Sequence, residues 1–179
     1  MIYSVTSFLF SLLVSIQLAL DLNLSTALQK RMHKEISKVF SCEDYELLEK
    51  TGKVGFELEN STYLTQHQIY EINRDGAILG YAFLGTAPSK TDAFDYLILF
   101  DPHFIQKKAK ILIYREDYGG EISSKRWLAQ FENSSLADRF FYGDNISAIS
   151  GATISVKSMT HSINYVYAQL ESQLVLAGR

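Results

Sequence analysis

Apolar residues recur at Leu24, Leu28, Met32, Ile36 and Val39 with charges between them. That spacing of three and four marks one buried helix face and predicts a helix over residues 24–40. The pattern then changes to alternation. Residues 54–59 and 68–72 read as short strands, and Arg74-Asp75-Gly76 reads as a turn into a further strand at 77–84, a predicted hairpin. Residues 94–100 (FDYLILF) and 110–114 (KILIY) are the most strand-like stretches, separated by a turn at Asp101-Pro102-His103. Residues 124–132 place Trp127, Leu128 and Phe131 on one face of a helix. A last helix over 155–176 repeats apolar positions at Met159, Ile163, Val166, Tyr167, Leu170 and Leu174. No repeat, low-complexity tract or Pro-rich linker divides residues 41–179. The pattern predicts an α+β fold: an antiparallel sheet flanked by helices, with residues 23–179 as a single domain.

The first twenty residues contain no charged side chain, and the first charge is Asp21. An apolar run of about 20 residues can span a bilayer, and a signal peptide needs less. Ser4, Ser7, Ser11, Ser15 and Gln17 interrupt the run, and no Lys or Arg precedes it. Residues 1–22 therefore read as a signal peptide or membrane anchor, with an amphipathic or buried first helix as the alternative. The rest of the composition narrows the classes. With 47% apolar and 21% charged residues the chain is not disordered, and 17 basic against 20 acidic residues imply no nucleic-acid surface. A single cysteine, Cys42, excludes an internal disulfide and a CxxC zinc site, and reads as a structural thiol. His33, His67, His103 and His161 lack metal-ligand spacing, and no Walker, GxGxxG or nucleophile-elbow motif is present.

The informative stretch is residues 147–160, SAISGATISVKSMT. Ser150-Gly151-Ala152-Thr153 forms a small-residue turn leading into the last amphipathic helix. The first N–H groups of a helix lack partners and its dipole favours negative charge, so this is a place for an anion. Gly151 and Ala152 let a phosphate approach the backbone, with the Thr153 hydroxyl as ligand or attachment point. Ordinary N-capping by Ser150, Thr153 or Ser155 is the other reading of the same residues. Tyr81, Tyr96, Tyr114, Tyr118 and Trp127 are aromatic candidates for stacking on a planar ring or for the core. Glu116 and Asp117 are adjacent, so on a strand they would face opposite ways and not act as a pair.

The string SGATIS-x-K-S-M-T at the start of a C-terminal helix resembles the FMN-binding domain of the Rnf and Nqr membrane redox complexes. Upstream, Gly80-Tyr81-Ala82-Phe83, FDYLILFD and KAKILIYRED look like that family's strands, so the likeness spans about residues 75–175. The family's glycine-containing loop, opened by a glutamate, is matched at Glu116 and Gly119, and residues 125–131 resemble its next helix. The resemblance implies FMN as cofactor, carried by Thr153 through a phosphodiester bond within the motif Ser150, Gly151, Ala152. Of the aromatic candidates, Tyr118 and Trp127, which flank the glycine pair, are the best placed to stack on the flavin ring. The resemblance further implies a flavin transferase during maturation, membrane redox subunits or another electron-transfer protein as partners, and a membrane-anchored or periplasmic location. Family members often have an acidic residue three positions before the motif serine, where this chain has Ser147. The reading is an extracytoplasmic electron-transfer flavoprotein, a carrier more than a stand-alone enzyme. Its alternatives are a membrane-anchored module that has lost flavin and a small flavin-dependent reductase.

Overall fold

The structure, a computed structural model, describes residues 26–51 and 61–176. The segment 1–22 and the strand expected at 54–59 lie outside the described residues. The chain opens with α1 (Thr26–Phe40), followed by β1 (Glu46–Glu49), β2 (Gln66–Arg74), β3 (Ala77–Pro88), β4 (Ala93–Phe100) and β5 (Gln106–Ile113). One helical turn, α2 (Lys125–Leu128), sits between 3-10 turns at Gly120–Ser123 and Ala129–Phe131, and α3 (Thr153–Leu176) ends the fold. The five strands form one sheet in sequence order, every neighbouring pair antiparallel. The expected α+β class is therefore observed.

Side-chain alternation divides the interior into two cores. On β4, Phe94, Tyr96, Ile98 and Phe100 face α3, whereas Leu97 and Leu99 face α1. The continuous apolar run of this strand thus reflects burial on both faces. Leu28, Met32 and Ile36 of α1 cover one face. Val156, Met159, Ile163, Val166 and Tyr167 of α3, with Trp127, Phe131 and Phe140, cover the other. Tyr81 and Tyr96 belong to this core, at 6% and 0% exposure. Asp75 and Gly76, at φ 53° and 81°, make the tight turn expected between β2 and β3.

Several boundaries differ from the sequence pattern. Strand β1 carries only Leu47 toward the interior, so no alternation announces it. Strand β5 begins at Gln106, four residues before the expected start, through a polar Gln-Lys-Lys stretch. The helix expected over 124–132 is a single α turn between 3-10 turns. Helix α3 starts at Thr153, two residues earlier than its apolar spacing indicates. Within β5, Ile111 pairs with Tyr96 and Ile113 with Asp95, leaving Leu112 bulged. A bulge of this kind re-aims the strand end, and here Tyr114 is turned toward the start of α3.

Candidate functional site

The turn before α3 packs on the loop after β5. Gly119 adopts φ +76°, and a Cβ built on it would lie 2.5 Å from the Ala152 Cβ. Only a residue with no side chain fits this approach, and only glycine adopts this φ without strain. Gly151, at φ +78°, turns the chain into the helix. From the other side the Trp127 indole N–H donates to the Ser147 carbonyl at 2.8 Å, and the Ser147 N–H donates to Gln130 Oε1 at 2.8 Å. The loop after β5 and the α2 region therefore fix where the Ser150–Thr153 turn sits.

The helix start itself is uncapped. The Val156 N–H donates to the Ala152 carbonyl at 2.9 Å, which makes Ala152 the residue at the capping position. Alanine has no side-chain acceptor and is among the poorest residues there. Ser155, one of the candidate caps, instead shares a 3.0 Å hydrogen bond with the Tyr114 hydroxyl. Among the described residues, no hydrogen bond engages the N–H groups of Thr153 or Ile154, or the Thr153 hydroxyl. The capping reading of Ser150, Thr153 and Ser155 is thus not what the structure shows.

These groups border a cleft of about 340 Å³, within the ~300–1,000 Å³ typical of small-molecule sites. Its walls include Lys90, Tyr114, Glu116, Tyr118, Ile154 and Ser155, besides the turn residues Gly151, Ala152 and Thr153. Tyr118 is 81% exposed and Ile154 47%, so an aromatic ring and an aliphatic side chain stand at its mouth. Glu116 is not a free base. Its carboxylate accepts from the Ser89 hydroxyl (2.6 Å), the Thr91 N–H (2.7 Å) and hydroxyl (2.9 Å), and the Asp92 N–H (3.2 Å). The bonds from Ser89 and Thr91 hold it ionised and bring its pKa down to about 2. The same bonds pin the β3–β4 turn, which carries Lys90 to the cleft.

The structure thus brings Gly151, Ala152, Thr153, Glu116 and Tyr118 to one cleft, with Gly119 packed directly behind Ala152. Ser150 is exposed in the turn. Trp127 is 5% exposed, packed edge-on to Phe131, and is not part of the cleft wall. Its place is structural: it holds Ser147. Lys90, Ile154 and Ser155 are wall residues outside the sequence-derived site. Lys90 lies 26 residues before Glu116 in a polar turn, which the Glu116 carboxylate holds through Ser89, Thr91 and Asp92, long-range bonds with no local signal.

The cleft has the parts an FMN phosphate and ring require. Residues with unpaired helix N–H groups line it, Lys90 supplies a cation, and Tyr118 supplies an exposed ring. Other cavities fit less well. One of about 290 Å³ on the α1 face is lined by Gln66, Gln68, Thr86 and Asp95. Asp95 there is already taken by Arg115 at 2.6 Å and the Thr86 hydroxyl at 2.8 Å. Among the described residues, no cluster of His, Cys, Asp and Glu could hold a metal ion, and no helix is long and apolar enough to cross a membrane.

No protein-family model matches the chain, and no curated protein matches it. Among solved structures, the chain is similar to Shewanella oneidensis NqrC, at 14% sequence identity and a TM-score of 0.47. The likeness covers 62% of this chain and 62% of that one, so the chain spans about three-fifths of the neighbour's length.

Proposed function

We propose that this chain is an electron carrier that holds FMN in the cleft between the residue 116–119 loop and the start of α3. The observation that carries the reading is the start of α3. A 24-residue helix opens on an SGAT sequence with an alanine at its capping position, unpaired N–H groups, and a free threonine hydroxyl beside a cleft.

Bound FMN supplies reversible electron acceptance at its ring. The chain's own residues bind and orient. Gly151 and Ala152 keep side-chain bulk away from the phosphate, the Thr153 and Ile154 N–H groups meet its charge, and Lys90 adds a cation. Tyr118 and Ile154 offer faces for the ring. A flavin transferase would form the bond from Thr153 Oγ1 to the FMN phosphorus by breaking the phosphoanhydride of an activated flavin donor such as FAD, whose AMP leaves with the hydroxyl proton. The resulting ester would retain the cofactor where FMN is not resupplied. We place the chain outside the cytoplasm, with residues 1–22 as signal or anchor and membrane redox subunits or another electron-transfer protein as partners.

Co-expression with a flavin transferase, followed by intact-mass measurement, tests this reading. An FMN-sized adduct absent from Thr153→Val supports it. A purified protein with neither adduct nor yellow colour eliminates both covalent and non-covalent binding, and leaves the module that has lost flavin.

A further inference from the structure

The chain is acidic overall, yet its cations are not evenly spread. A third cleft, of about 410 Å³, lies between α1 and β5 and is lined by Arg31, Lys34 and Lys110. A smaller one beside it adds Lys38, Lys108 and Lys125, and Glu35 is the single acidic residue on either wall. Lys108 is paired with Glu132 at 3.2 Å, and Arg31 donates to the Leu112 carbonyl. Among the described residues, no ion pair uses Lys34, Lys38, Lys110 or Lys125.

Strand β5 is a sheet edge, and lysines on an edge discourage strand-to-strand aggregation. That explains Lys108 and Lys110. It does not explain Lys34 and Lys38, which come from α1, or Lys125, which comes from α2, converging on the same depression. Four unpaired like charges repel one another, a cost that a complementary anionic surface removes. The position is also informative. Tyr114 lines both this basic cleft and the proposed FMN cleft. A partner seated on the lysines would lie one side chain away from the cofactor cleft.

We infer that the α1–β5 face is the docking surface for an acidic electron-transfer protein, whose carboxylates enter the basic cleft beside Tyr114. The inference rests on the FMN reading for its purpose, although the surface itself does not depend on flavin. Charge complementarity of this kind chiefly accelerates encounter and is weakened by salt.

The test uses the full chain and flavodoxin, an acidic carrier, as the probe. Affinity is measured by calorimetry on flavin-free and FMN-loaded protein, at low and at high salt. Lys34→Glu and Lys110→Glu are each compared with Arg74→Glu, which makes the same charge change on the β2–β3 hairpin. Binding should weaken about tenfold at low salt in each patch variant, stay within about twofold of wild type in Arg74→Glu, and fade as salt rises. With FMN loaded, electron transfer from reduced flavodoxin, which is oxidised as the bound FMN is reduced, should slow in the same order. If the variants fold poorly, the salt dependence of the wild-type affinity decides. Flavodoxin binding that ignores both salt and the lysines overturns the inference even when FMN is loaded. Loss of FMN with binding intact refutes the flavin reading alone. Preference for phosphatidylglycerol over phosphatidylcholine vesicles, abolished in the patch variants while flavodoxin binding is unchanged, makes the face a lipid surface and overturns the inference.

Discussion

Gly119 and Gly76 share nearly the same backbone conformation, at φ +76° and +81°, but differ in their surroundings. A Cβ on Gly76 meets nothing within 4 Å, whereas on Gly119 it meets the Ala152 Cβ at 2.5 Å and the Gly151 carbonyl at 3.0 Å. Gly76→Ala therefore incurs only left-handed backbone strain, about 1–2 kcal/mol. Gly119→Ala adds an overpacking cost of about 1–3 kcal/mol, for a total of about 2–5 kcal/mol. At about 2–4 °C per kcal/mol for a chain of this size, that lowers Tm by roughly 4–20 °C. Urea unfolding of both variants measures the difference directly. A double variant with Ala152→Gly removes the atom that the new methyl strikes, and should recover much of the added cost as a positive coupling. If Gly119→Ala costs no more than Gly76→Ala, or if Ala152→Gly gives no recovery, the loop does not bear on the turn as described. The same displacement should lower FMN occupancy, since the turn and the loop packed against it both line the cleft.

Other outcomes are open to direct measurement. Glu116 has a pKa lowered from 4.5 to about 2, so its hydrogen bonds contribute stability fully above pH 4.5 and lose it as the pH falls toward 2. Carboxyl NMR should show Glu116 titrating near pH 2, and Glu116→Gln should remove that part of the pH dependence from acid unfolding curves. Tyr96→Phe leaves the buried Ser162 hydroxyl without its 2.5 Å partner, at a cost of about 1–3 kcal/mol by urea unfolding. Trp127→Phe loses the bond to the Ser147 carbonyl and part of a buried ring, and should cost about 1–3 kcal/mol. It should reduce FMN loading without abolishing it, because Trp127 positions the turn and does not line the cleft.

Local periodicity made most of the fold legible. The 28-32-36 spacing of α1, the Asp75-Gly76 turn and the two-sided apolar run of β4 all act within a few residues, and each is where the sequence puts it. Strand β1 escaped because four largely exposed residues carry no alternation, and the start of β5 because Gln106 is buried by a hydrogen bond from the Tyr167 hydroxyl, not by hydrophobicity. At the site, SGAT marked the helix start because small residues and glycine have a local meaning. The role of Glu116 was not legible, since its partners lie 24 to 27 residues away. An apolar-aromatic residue such as Trp127 reads identically whether it stacks on a ligand or fills a core, and only its 5% exposure separates the two.

The meander topology has a consequence for the order in which this molecule assembles. Every strand pairs with its sequence neighbour, so the sheet closes through short loops, such as the four residues 89–92 between β3 and β4. The bonds that build the site and dock α3 on the sheet span more chain: 27 residues from Ser89 to Glu116, 41 from Tyr114 to Ser155, and 66 from Tyr96 to Ser162. Long-range closures form after local ones have reduced their entropic cost. By this reasoning the sheet is expected to be the template on which α3 lands, and the cleft, walled by the start of α3, is complete only after that landing. A maturation enzyme that reads the cleft and not the bare peptide would thereby modify finished molecules and pass over unfolded ones.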